Sequence, residues 1–436
     1  MKNFSYRELL LFSLPSIFSS LLEPLASVVD NALVGRISTE WLASLAISLA
    51  LLNSITWMFN FLVHGPTQAV SDHAAQENPR LLAKRVKVSL VVALFVGLAC
   101  SAFLFSFKNF LFELAGGTTE LKKNFDAYFD IRVLGHTFLV LGVTGGSILR
   151  GLGRVKASFW LMASMTFINI VLTMLFLFHY GWGLQGAAIG TVASGFFAFV
   201  FSIILIFQNE NIKTHFLSEK MDKENLVRFG KNSLNLFGRS GMLSVTFFVS
   251  TKISASIGTL ELATHQILLT TWLFASFFLD GLAITGNIWG ARLYGKKDFV
   301  NLKLCFNRLI FLGFILGILF TFVYYFGDKF ILSTFSTDPK VIELGLSLWW
   351  LIVIAQIISS IAFVLDGLIF GLEGFYFLRT HMIIGVLFFV FPMMYLAYLN
   401  KNLSYVWMAL VGLNVYRAAS GYYFVNKKVF SVKGVS

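Results

Sequence analysis

Long apolar runs separated by polar connectors make up most of this chain. They fall near 9–34, 43–66, 86–107, 125–149, 158–179, 184–207, 232–251, 262–290, 304–326, 341–370, 380–399 and 403–425. Each approaches or exceeds the roughly 20 residues a helix needs to cross a bilayer. The runs are continuous, where a transmembrane barrel would alternate apolar and polar positions. The pattern therefore predicts an all-α integral membrane protein with twelve transmembrane helices. The longest polar connector, "QNENIKTHFLSEKMDKENLVRFGKN" at 208–232, separates six helices from six. The expected organisation is an N-lobe at 1–207, a cytoplasmic linker at 208–231 and a C-lobe at 232–436.

The halves resemble each other at a shift near 220 residues. "EWLASLAI" from Glu40 matches "LELATHQI" from Leu260, "GSILRGLG" from Gly146 matches "GLIFGLEG" from Gly367, and Gly65 pairs with Gly286. An even number of helices per half makes both halves enter the membrane from the same side. Two six-helix bundles related by a parallel pseudo-two-fold repeat are expected, a plan that suits a transporter.

Composition sharpens this picture. Only 13% of residues are charged, against about 25% in soluble domains. The net charge of +12 would suggest nucleic acid in a soluble protein. Here it fits Lys and Arg held on the cytoplasmic side, so no nucleic-acid partner is expected. With the N-terminus inside, cytoplasmic segments hold 23 Lys and Arg and outer segments hold 8. That excess supports twelve spans with both termini inside. The first run carries acids and lacks a small-x-small cleavage site, so it reads as a helix and not a signal peptide. Cys100 and Cys305 sit inside apolar runs and read as buried thiols. The histidines show no metal-ligand spacing. No clustered nucleophile and no phosphate-binding glycine loop is visible, so an enzyme is not expected.

The first run nevertheless contains Glu23 and Asp30, seven residues apart and on nearly one helix face. Acids at membrane depth are costly and usually functional. For Asp30 the bland alternative is an acid near the outer helix end, solvated or paired with Arg36. For Glu23 a second proton carrier and an acid serving the backbone groups freed by Pro24 are equally open. Pro15 and Pro24 predict bending of this helix. In the second run Asn53, Trp57, Asn60 and His64 recur at helical steps, as a cavity lining or as interhelical hydrogen-bonding glue.

Several stretches together resemble the multidrug and toxic compound extrusion (MATE) transporters. "LPSIFSSLLEPLASVVDNALVGRI" is similar to their first helix, with "VDxxxVG", and "FNFLVHGPTQAVSDHAAQ" to the end of their second. "YFDIRVLG" and "NIVLTMLFLFHYGWGLQGAAIGT" are similar to helices four to six. "FGRSGML", "LDGLA" and "LDGLIFG" resemble the DinF-like branch. The resemblance implies an inner- or plasma-membrane antiporter that exports amphipathic, often cationic, compounds against inward protons or sodium. It needs no cofactor beyond the coupling ion, and a monomer is expected.

The resemblance places ion coupling on Asp30. The family commonly has an Asn followed four residues later by Asp in helix five; here the pair is Asn169 and Thr173, so the acid is missing. Glu23 is the candidate to replace it. Asp280 and Asp366 match DinF-like motifs and are candidates for attracting cationic substrate. For Asp280 the favoured reading is half of a buried pair with Arg239, and Arg417 is available to neutralise one of these acids. Asp130 and Arg132 read as a structural pair. The competing readings are a sodium-coupled pump of the same family and a lipid or glycan flippase of the wider superfamily. Among the mid-membrane charges considered, Glu23, Asp30, Asp280 and Asp366 outnumber Arg239 and Arg417, which favours cationic cargo.

Overall fold

A computed structural model describes residues 4–35, 37–59, 61–76, 78–220 and 223–430, and every regular element among them is helical. In chain order the first half holds α1 (Tyr6–Gly35), α2 (Thr39–Met58), α3 (Phe61–Ala75), α4 (Pro79–Ser106), α5 (Lys108–Leu114), α6 (Thr119–Gly151), α7 (Val155–Met174), α8 (Gly183–Phe207) and α9 (Glu210–His215). The second half holds α10 (Lys223–Ile257), α11 (Thr259–Gly295), α12 (Phe299–Phe335), α13 (Pro339–Gly371), α14 (Phe375–Gly385), α15 (Phe391–Asn400) and α16 (Leu403–Val425). A π-helical turn at Leu175–His179 extends α7, and another at Val386–Val390 joins α14 to α15. Each expected span corresponds to one helical pass, with α2–α3 and α14–α15 each forming a single interrupted pass. Among the described residues nine helical segments are long and apolar enough by themselves to cross a membrane. The other passes are the broken α2–α3, the charge-bearing α10 and the Arg417-bearing α16.

Helix starts follow from capping chemistry. At "NPR" the Asn78 side chain accepts a hydrogen bond from the Leu81 amide, and Pro79 takes the first helical position, where an N–H would be orphaned anyway. "DPK" repeats the device with Asp338 accepting from Lys340. Asp298 and Asn402 cap α12 and α16 in the same way.

The chain forms two compact units, Phe18–Ser233 and Met1–Ile17 with Leu234–Ser436. Helix α1 is therefore shared between them, running unbroken through Pro15 and Pro24. Its first half belongs to the unit of the second repeat. Ser13 Oγ and Thr285 Oγ1 share a hydrogen bond of 2.8 Å, and the Phe4 and Phe12 rings lie 5.0 and 5.6 Å from Trp289. The connector after α8 stays with the other unit. Glu219 lies 3.6 Å from Arg80 and 3.4 Å from Lys84, and its carbonyl accepts from Lys87 at 3.0 Å.

Within the second unit, α11 and α13 cross through two small-xxx-small faces, Gly286/Gly290 and Gly367/Gly371. A Cβ on Gly367 would lie 2.1 Å from the Ala283 carbonyl oxygen, and one on Gly371 2.8 Å from that of Asn287. Without a hydrophobic drive between helices in lipid, such close backbone approach supplies the packing. It also sets the distance between Asp280 on α11 and Asp366 on α13. Gly367→Val is expected to cost about 3 kcal/mol, because backbone and not a flexible side chain stands in the way. The measurement is thermal unfolding in detergent; an unshifted transition would show that the two helices tolerate separation.

Candidate functional site

Four helices of the Phe18–Ser233 unit carry polar side chains to one place. Asp30 on α1 has Arg132 of α6 and Thr173 of α7 as its electrostatic and hydrogen-bonding neighbours. Tyr128, one turn before Arg132, neighbours Arg132, Asp30 and Thr191 of α8. Asn169 donates to Thr191 Oγ1 at 3.0 Å, and Thr191 donates to the Ala187 carbonyl at 3.0 Å. Glycine makes this possible at one position: a Cβ on Gly190 would lie 2.9 Å from the Thr173 amide nitrogen and 3.0 Å from its hydroxyl. The π-helical turn at Leu175–His179 begins just beyond Thr173. Such turns occur often at functional sites.

The cluster has unused hydrogen-bonding capacity. Asp30 Oδ1, Thr173 Oγ1, Arg132 Nε and Nη1, and His136 Nδ1 complete no well-aligned hydrogen bond among the described residues. Unpaired buried polar atoms are costly, so an acid, a base and a hydroxyl left in this state are poised to gain a partner. A proton on Asp30, donated onward to the threonine hydroxyl, would supply one.

Two sequence expectations change here. Asp130 is not paired with Arg132: Lys108 donates to both its carboxylate oxygens at 2.8 Å, and successive residues on a helix face different ways. Arg132 instead lies buried on the face that carries Tyr128 and His136. The Asn53–Trp57–Asn60–His64 stripe does not lie on one helix, because α2 ends at Met58 and α3 begins at Phe61. Asn53 is exposed. The side chains of Glu23 and Trp57, together with Asn60 and Arg36, lie outside the described residues. The four-residue spacing of Tyr128, Arg132 and His136 was the available signal for the missed residues, a polar stripe through an apolar helix.

The second unit carries the other charge cluster. Arg239 of α10 and Arg417 of α16 both donate through Nη2 to the same oxygen, Oδ2, of Asp366 on α13. Arg417 Nη1 also donates to Asn414 at 2.6 Å, and Asn414 and Trp272 both reach Ser359, at 3.4 and 3.1 Å. The Arg239 and Arg417 guanidinium carbons lie over the Phe370 and Phe363 rings, 5.3 and 5.2 Å from the ring centroids. Arg239's ion-pair partner is thus Asp366 and not Asp280, which changes the pairing expected from sequence. Asp280 has Arg239, Arg417 and Asp366 as electrostatic neighbours but makes no ion pair or hydrogen bond among the described residues. It keeps accessible surface, whereas Asp366 is buried.

A family model described as MatE matches residues 15–175 and again 238–398. The chain belongs to the MATE family. The paired matches are offset by 223 residues (238 minus 15), which is the internal repeat seen in the sequence. A relative in Arabidopsis thaliana, protein DETOXIFICATION 44, chloroplastic, is 27% identical over 390 residues, covering 86% of this chain and 74% of that protein. DNA damage-inducible protein F of Escherichia coli (strain K12) is 22% identical over 405 residues, covering 91% and 87%. The solved outward-facing structure of a multidrug resistance MATE family transporter of the MOP superfamily superposes with a TM-score of 0.89 at 17% identity, covering 98% of this chain and 96% of that one. This MATE protein is a multi-pass membrane transporter, not an enzyme, with the family's two-repeat, twelve-helix fold.

Proposed function

We propose that this transporter is a proton-coupled antiporter that exports amphipathic organic compounds bearing a cationic group, by alternating access. The observation that carries the reading is Asp30 confronted by Arg132, with Thr173 where the family commonly has a second acid. Sodium needs several oxygen ligands and a net negative charge. A guanidinium beside a single carboxylate removes that excess charge and repels a cation. A proton needs only one carboxylate oxygen and a neighbouring acceptor, and both are present. Asp280, partly buried and without an ion pair among the described residues, is the acid assigned to a cationic group on the cargo. The similarity to a multidrug resistance transporter supports efflux as the direction.

The test is transport of a cationic dye in proteoliposomes under an imposed proton gradient or an imposed sodium gradient. Proton-driven movement supports the reading, and sodium-driven movement overturns the choice of ion. No dye movement under either gradient, with lipid crossing between leaflets instead, would favour a flippase. Thr173→Asp is expected to add sodium stimulation that wild type lacks, because two carboxylates beside one guanidinium restore a net negative charge. Sodium titration of initial rates checks this.

A further inference from the structure

We infer that Arg132 is the internal counterion of the coupling acid: its guanidinium closes onto the Asp30 carboxylate when the proton leaves, and the two part when the proton returns. This rests on the proton-coupled reading above and names the positioning residue that takes the proton's place. Arg132 lies buried on α6 with Asp30 of α1 as its electrostatic neighbour. No ion pair or hydrogen bond joins the two side chains. Nε and Nη1 of Arg132 and Oδ1 of Asp30 all lack a hydrogen-bond partner among the described residues. Donors and acceptor thus face one another unused, inside a single compact unit.

A protonated Asp30 is neutral and offers Arg132 no charge to pair with. Its O–H instead has an acceptor in Thr173 Oγ1, on α7. A deprotonated Asp30 is an anion in an apolar surrounding, where a lone charge is costly and a charge-assisted hydrogen bond to a guanidinium is strong. Proton and guanidinium therefore exclude each other at one carboxyl group. When the O–H bond breaks and the proton passes to water, the negative charge left behind is met by a positive charge already in the protein. No second cation has to enter. The groups around the pair do not compete for it. Tyr128 and His136 flank Arg132 one turn to either side on α6, and the Arg132 guanidinium carbon lies 6.0 Å from the Tyr128 ring centroid. Helices α7 and α8 present Thr173, Asn169 and Thr191. None of these is a carboxylate that could hold Arg132 away from Asp30.

The experiment is an infrared pH titration of the detergent-solubilised full chain in sodium-free buffer. It follows the protonated-carboxyl band that is missing from Asp30→Asn. Arg132→Gln is expected to keep that band to a pH about one unit or more above wild type, because the nearby positive charge is gone. Arg132→Lys, which keeps the charge, is expected to titrate close to wild type. The pH–rate profile of proton-driven dye uptake should move in the same direction, with dye affinity unchanged. A merely structural role would lower the melting temperature and leave the band where it is. A second arm needs no variant: sodium is expected to leave the wild-type band unmoved, because Arg132 and not a bound ion takes the carboxylate. A band lost at the same pH in Arg132→Gln, or displaced by sodium in wild type, would overturn the inference. A wild type whose Asp30 titrates as expected but which moves no dye under a proton gradient would overturn the export reading alone.

Discussion

Asp30→Asn is expected to reduce gradient-driven substrate movement about 100-fold or more, close to the rate of protein-free liposomes, a loss typical of removing a proton-transferring group. The amide keeps the size of the side chain and can still face Thr173 and Arg132, so folding is not the cause. What disappears is the ability to gain and lose a proton. Substrate affinity is expected to stay within about threefold, because Asp280, the acid assigned to the cargo, lies in the other compact unit. Loss of transport with retained binding is thus the signature of a coupling acid. Loss of both would point to a structural role for Asp30. Retention of both would remove it from the mechanism. Comparing dye affinity in detergent with uptake into liposomes separates the three.

Asp366→Ala is expected to cost about 3–5 kcal/mol, the usual consequence of removing one partner from a buried ion pair. The mechanism is specific. Two buried guanidiniums would lose the only carboxylate to which they are hydrogen-bonded among the described residues, and Asp280 does not reach either of them. Their mutual repulsion would then be uncompensated. Arg417→Leu alone should cost less, since Asp366 keeps Arg239. The double variant should recover part of the loss, which would show as a favourable coupling in a double-mutant cycle. Thermal unfolding of purified protein checks the series. A nearly unchanged transition for Asp366→Ala would mean that the triad does not hold α10, α13 and α16 together.

Helical passes, repeat and family were legible because they rest on long-range regularities: apolar run length, a polar connector near the middle and motifs that recur in order. The partners of charged residues were not. Asp130 and Arg132 are near neighbours in sequence, yet their side chains diverge, one to Lys108 and the other toward Asp30. Asp280 and Asp366 sit in similar "LDGL" words, but only Asp366 receives the arginines. That choice depends on how α10 and α16 pack against α13, which no local pattern encodes. The extra arginine near Asp30 also alters the charge reading. The mid-membrane groups are less acidic in effect than Glu23, Asp30, Asp280 and Asp366 suggest, since Arg132 faces one acid and two arginines hold another. The break between α2 and α3 hid for a similar reason, because the apolar run continues across it.

The most direct test of the account asks whether substrate movement carries protons. Proteoliposomes would be loaded with a trapped pH-sensitive dye, in sodium-free buffer, and substrate added outside. Antiport predicts that the lumen becomes more alkaline as substrate enters, and that Asp30→Asn abolishes this signal. Substrate entry with no pH change in wild type, or a signal that persists in Asp30→Asn, would contradict proton coupling through Asp30.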